Sequence, residues 1–115
     1  MKTTLIFWRQ RPGTTLSPAA IAQELQYGNE VDRLLDLPVR EILERLKEAF
    51  PEAVEKAGEL VWSHGEEALE ATWTWQHVRL DSQGLSDENR GRLLAIFEAF
   101  DCPAYDLQLG VRLAH

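Results

Sequence analysis

This sequence has a single cysteine, fewer basic than acidic residues and no long apolar run, and each shortage removes a class of protein. The lone Cys102 cannot close an intrachain disulfide or build a zinc cage, so nothing calls for an oxidising compartment and the cytoplasm is the expected location. No stretch comes near the roughly 20 apolar residues that a bilayer crossing needs. The apolar start at Leu5-Ile6-Phe7-Trp8 is cut by Arg9-Gln10-Arg11 too early for a signal peptide, and a membrane partner is not expected. Only 12 Lys and Arg stand against 19 Asp and Glu, a net charge of −7 that repels phosphate and argues against nucleic acid. The 7 glycines form no phosphate-binding loop, dinucleotide fingerprint or nucleophile elbow, so no cofactor is expected.

What is present is an ordinary globular mixture, 44% hydrophobic and 27% charged over 115 residues, which predicts one folded domain. Leu5 to Trp8 carries apolar side chains at consecutive positions, so both faces of that strand need cover and it belongs in the interior of a sheet. Ser17 before Pro18 reads as the cap and first residue of a short helix, with Ile21, Ala22 and Leu25 on one side and a stop at Gly28. From Pro38, the positions Val39, Ile42, Leu43, Leu46 and Phe50 repeat at helical spacing, with Glu41 one turn before Arg45 on the far face as a favourable ion pair. A strand is read at Leu60-Val61-Trp62, a turn at Gly65-Glu66-Glu67, and a longer strand from about Leu69 to Leu80. In that longer strand Ala71, Trp73 and Trp75 share one face, but Val78 and Leu80 fall out of phase, which predicts a bulge or strand end near His77. Ser86 caps a third helix with Leu93, Ile96, Phe97 and Phe100 as its stripe, and Tyr105 to Leu113 alternates as a last strand. The resulting order is that of an α+β, ferredoxin-like split β-α-β fold: a four-stranded antiparallel sheet with two main helices on one face. The short N-terminal helix is an insertion, either a partial lid on the open sheet face or a rim beside it.

Candidate sites are few. Trp73 and Trp75 are expected in the core under the helices. One of Phe7 and Trp8 must face away from the two main helices; a Trp8 on that side is either covered by the helix from Ser17 or the centre of a partner site. Acids concentrate in the second half of the chain, net −6 over residues 58–115 against −1 before it. Asp87 and Glu88 have a sufficient reason in the helix they open, whereas Glu66, Glu67 and Glu70 around the hairpin do not. Such an acidic, ring-bearing surface suits a basic protein. The first functional reading is therefore a non-enzymatic protein-binding module, of the inhibitor or immunity type, that neutralises a basic partner such as a toxin. It uses Trp8, Glu66, Glu67, Glu70, Asp81 and Asp106.

The second reading is a small enzyme or ligand-binding domain acting as a homo-oligomer, its pocket on the open sheet face and its polar groups His77, Asp106 and Arg112; monomer and homodimer both stay open. No metal site is expected, because His64 and Glu66 supply only two ligands of the three or four a transition metal wants. Cys102, beside Asp101 at a helix C-terminus, has the wrong electrostatics for a nucleophile.

Overall fold

The computed structural model describes residues 2–10, 17–32 and 34–112. Its elements are, in order, β1 (Lys2–Gln10), α1 (Pro18–Gln26), β2 (Leu34–Leu35), α2 (Val39–Ala49), β3 (Val54–Lys56), β4 (Glu59–His64), β5 (Glu67–Trp73), β6 (His77–Gln83), α3 (Asp87–Ala99), β7 (Ala104–Asp106) and β8 (Val111–Arg112). All pairings are antiparallel, in the order β3-β4-β5-β6-β1-β7-β8, with β2 added to the end of β1. This eight-stranded sheet with three helices overturns the four-stranded ferredoxin-like expectation.

Two turns account for most of the difference. The long strand read from Leu69 to Leu80 is two strands, because the chain reverses at Thr74–Gln76 and Trp73 pairs back on Val78. The phase slip near His77 is thus the start of the return strand. The last strand is also cut short: Asp106 Oδ1 accepts the backbone N–H groups of Gln108 and Leu109, both at 3.0 Å, turning the chain back so that Val111 pairs with Asp106. The Leu113 end of the predicted strand lies outside the described residues. Strand β3 joins β4 through a two-residue loop, Ala57 and Gly58, both at positive φ. At Gly84 an added Cβ would lie 2.7 Å from the Glu66 carbonyl oxygen, so only glycine fits where that turn closes on the neighbouring hairpin.

The helices begin where their sequence signals place them. Ser17 accepts the Ala20 N–H at 3.2 Å with Pro18 in the first position, and Ser86 accepts the Asn89 N–H at 3.1 Å. On α2, however, the expected Glu41–Arg45 pair is not among the ion pairs of the described residues. Arg40 and Lys47 converge on Glu55 of β3 instead.

Strand β1 lies between β6 and β7 and is buried on both faces, as its unbroken apolar run requires. On one side Leu5 and Phe7 join Ile42, Leu43 and Leu46 of α2 and Leu93 and Phe97 of α3 in the larger core. Phe7 and Phe97 stack there with ring centroids 3.7 Å apart. On the other side Ile6 and Trp8 pack with Ile21, Ala22 and Leu25 of α1, together with Val31, Leu34 and Tyr105. The inserted helix therefore covers part of the face opposite α2 and α3. Strands β3 and β4 lack such cover on that face, where Val61 of β4 is 41% exposed, whereas the end of α1 reaches as far as a groove against β5 and β6.

Candidate functional site

The six residues expected to meet a partner do not form one surface. Trp8 is fully buried beneath α1, its indole Nε1 donating to Gln10 Oε1 at 3.2 Å and the Arg112 guanidinium 4.6 Å from its ring centre. An entombed indole gives a partner nothing to touch. Asp106 is buried too, its carboxylate spent on the turn before β8. Glu67 is a structural ligand of α3: its Oε1 accepts the Ser86 N–H at 2.7 Å and Asn89 Nδ2 at 2.9 Å, and those bonds hold its carboxyl below the usual range. Glu66 stands exposed at the tip between β4 and β5. Only Glu70 and Asp81 come together, directly opposite each other on the uncovered face. Asp81 is already engaged by the Thr4 hydroxyl at 2.6 Å and by Arg79 Nε at 3.2 Å. The open depression beside them, about 220 Å³, is lined by Lys2 and Gln83 as well as Glu70 and Asp81, so its charge is mixed.

The opposite end of the same strands carries a surface that alternation in the sequence concealed. Trp75, expected in the core with Trp73, is 47% exposed because it sits at the tip between β5 and β6. Trp73 alone packs against the larger core. The tip is held from several directions. Thr74 N–H donates to the His77 carbonyl at 3.0 Å, and the Gln76 N–H donates to Thr74 Oγ1 at 3.2 Å. The buried Gln76 side chain reaches Val31, accepting its N–H at 2.8 Å and donating to its carbonyl at 2.7 Å. Leu37 N–H donates to the Trp75 carbonyl at 2.9 Å. A side chain on a turn fixed at both ends loses little freedom on binding, which suits a tryptophan to serve as an anchor.

Val31 and Leu37 belong to the segment from α1 to α2, and that segment is acidic at the same end of the sheet. Glu30 and Asp32 flank Val31, Asp36 precedes Leu37, and all three are exposed with no ion pair among the described residues. Arg33, which offsets one of them in the charge count, lies outside the described residues. Tyr27 adds a second ring, 72% exposed at the end of α1. The signal that could have located this site is the sequence Thr74-Trp75-Gln76 itself. A phase slip between two apolar stretches, spanned by polar residues, marks a reversal as readily as a bulge.

His77, part of the second reading, is buried beside this tip with Nδ1 2.8 Å from Thr74 Oγ1, and burial pushes its pKa down. Its expected companions are elsewhere: Asp106 in the β7–β8 turn, and Arg112 against Trp8 and Gln10. His64 is exposed, with Nδ1 3.9 Å from Glu52, and His115 lies outside the described residues. Among the described residues no group of three His, Cys, Asp or Glu converges as a metal site would require, and no helix is long and apolar enough to cross a membrane. Cys102 is buried, and burial raises its thiol to about 11.

These features define an α+β domain with one half-covered sheet face and an acidic, aromatic tip. Compared with known proteins, the chain matches no family model and no curated relative.

Proposed function

We propose that this chain is a non-enzymatic protein-binding module that docks a basic protein through the Trp75 tip, in the manner of an inhibitor or immunity-type protein occluding its target. The observation that carries the reading is the half-exposed indole on a turn tied by Gln76 to Val31 and by Leu37 to the Trp75 carbonyl, in a segment bearing Glu30, Asp32 and Asp36. Rings beside carboxylates are what a lysine or arginine side chain prefers, because the ring face and the anions attract the cation together. Trp8 and Asp106 drop out of the docking set, and Glu66, Glu70 and Asp81 sit on other parts of the molecule.

The test compares four immobilised proteins in native lysate: the wild type, Trp75→Ala, Glu30→Lys/Asp36→Lys, and Glu66→Lys/Glu70→Lys. The last makes the same change in net charge away from the tip. The expected result is one stoichiometric basic protein on the wild-type column at low ionic strength. Trp75→Ala should release it faster, and the Glu30/Asp36 reversal should slow its association at low salt while changing little at high salt. The Glu66/Glu70 reversal should matter least. Equal retention by all four, or no retained basic protein at low ionic strength, refutes the reading.

One observation favours the alternative of a ligand-binding domain. His77, among its expected polar groups, lines a groove on the open face of the sheet.

A further inference from the structure

We propose that strand β3 is a self-association edge, pairing antiparallel with β3 of a second copy of this chain about a two-fold axis at Val54. The proposal is independent of docking at Trp75. Strand β3 ends the sheet, and among the described residues its one strand partner is β4. The two-residue loop at Ala57 and Gly58 makes Lys56 and Glu59 a hydrogen-bonded pair. The alternation of an antiparallel ladder then turns the Glu55 backbone N–H and carbonyl outward, where no backbone group meets them among the described residues.

An edge can receive a partner only if it holds its shape, and three exposed residues would ordinarily fray. The Glu55 side chain prevents that. It accepts two hydrogen bonds from Arg40, at 2.9 and 2.8 Å, and lies 2.9 Å from Lys47 Nζ, which pins the strand to α2. The edge is therefore extended before any partner arrives, and the ordering cost of association falls.

The uncovered face selects the occupant. Glu52, Val54 and Lys56 alternate onto it, and with Val61 and Ser63 they line a hollow of about 280 Å³. Val54, 49% exposed, lies directly across from Val61 there. Charges on an edge ordinarily deter pairing. Here the signs are opposite at the two ends, so Glu52-Ala53-Val54-Glu55-Lys56 is its own antiparallel complement. With Val54 on the axis, each Lys56 faces the partner's Glu52, and each Glu55 N–H meets the partner's Ala53 carbonyl. Lys56 has no ion pair among the described residues, and Glu52 has only His64, at 3.9 Å. An axis at Glu55 would set the two Glu55 carboxylates side by side, and parallel pairing in register would set like charge on like. The charge pattern thus favours one arrangement, an isologous contact that closes at the dimer. Its extent falls below the roughly 1,200 Å² of stable complexes, which gives a weak association with Kd on the order of 0.1–1 mM.

The test is sedimentation equilibrium of the full chain at concentrations up to about 1 mM. An ionic strength of about 0.1 M screens the net charge of −7 beyond about 10 Å and keeps the contacts at the edge. The wild type should show monomer and dimer with no larger species. Lys56→Glu and Glu52→Lys should each dimerise at least about tenfold more weakly, because the axis doubles each like-charge contact. Mixed in equal amounts, those two variants should recover a dimer of strength comparable to the wild type, since each meets its opposite. The exchange variant Glu52→Lys/Lys56→Glu should do the same alone. Val54→Asp, which sets two carboxylates on the axis, should abolish the dimer. All three positions are at the surface, so circular dichroism should show native folds throughout. Trp75→Ala should associate as the wild type does, which separates this edge from the docking surface. A wild type that stays monomeric, single variants that dimerise as it does, a mixture no stronger than its components, or loss of the dimer in Trp75→Ala would each overturn the proposal.

Discussion

Replacing Gln76 by leucine removes the strut that holds the Trp75 tip to the segment after α1, and the structure fixes the size of the effect. The Gln76 side chain is 3% exposed and satisfies both polar groups of Val31, at 2.8 Å and 2.7 Å, and Val31 is itself buried. Leucine leaves a backbone N–H and a carbonyl without partners and out of reach of water. Each orphaned group costs roughly 1–3 kcal/mol, partly offset by the added apolar burial, for a net loss of about 3 kcal/mol. Against the 5–15 kcal/mol that ordinarily separates folded from unfolded domains, that is a large fraction, and it lowers Tm by about 12 °C for a domain of this size. Urea denaturation followed by circular dichroism measures it as a shift in midpoint at constant slope. Gln76→Glu sharpens the test. Ionised, the new side chain sets a charge against the Val31 carbonyl; protonated, it can replace both hydrogen bonds. Its deficit relative to wild type should therefore shrink as pH falls through the carboxyl range. A Gln76→Leu protein within about 0.5 kcal/mol of wild type, the range of ordinary surface changes, would refute the bridging role.

Two further outcomes follow from titrating groups. Arg40, with two hydrogen bonds at 2.9 and 2.8 Å, and Lys47 at 2.9 Å hold the Glu55 carboxyl down to about 2 from 4.5. A folded pKa below the unfolded one contributes stability above pH 4.5 that is lost as pH falls toward 2. The stability difference between wild type and Glu55→Gln, measured by urea midpoints, should hold from neutral pH to about 5 and close between there and 2; a difference constant across that range contradicts it. Cys102 is 1% exposed with its thiol raised to about 11, so a thiol-specific disulfide reagent at mildly alkaline pH should react far more slowly than with a free thiol. Its rate should rise with denaturant in step with unfolding, and labelling of the native protein at the free-thiol rate would show the residue to be accessible.

Helices were legible where cap, period and stop agree. Ser17-Pro18, Pro38 ahead of the stripe Ile42-Leu43-Leu46, and Ser86 each give an element beginning within a residue of its sequence signal. The interior position of β1 was legible too, because four consecutive apolar residues cannot lie on a strand with one wet face. The extra strands were not. Strand β2 has two residues, and β3 has three, all exposed, so neither has room for a period. The reversal at Thr74–Gln76 was hidden because Trp75 continues the alternation of Ala71 and Trp73 beyond the last residue to which that alternation applies. Periodicity reports which side a residue would occupy if the strand continued, and it cannot report that the strand has stopped.

The same limit explains why the sequence draws the eye to the acids around Glu66 and not to those near Trp75. Charge summed over half the chain places the acids around Glu66, since the first half is nearly neutral. That neutrality is an average over two unlike regions. Arg40, Arg45 and Lys47 belong to α2, where Arg40 and Lys47 face Glu55 across the edge of the sheet. Glu30, Asp32 and Asp36 belong to the preceding segment, which Gln76 and Trp75 bind to the other end of β5 and β6. Bases a turn of helix away cancel these acids in the sum without approaching them. In a meander, moreover, successive hairpin tips lie at opposite ends of the strands, so Glu66 and Trp75, nine positions apart, stand a full strand length from each other. Proximity in sequence joined the acids of one tip to the rings of the next, whereas the fold gives each tip different neighbours. For a partner, the ring and carboxylates that count are those that one surface can present together, and of the two tips only the one bearing Trp75 has both.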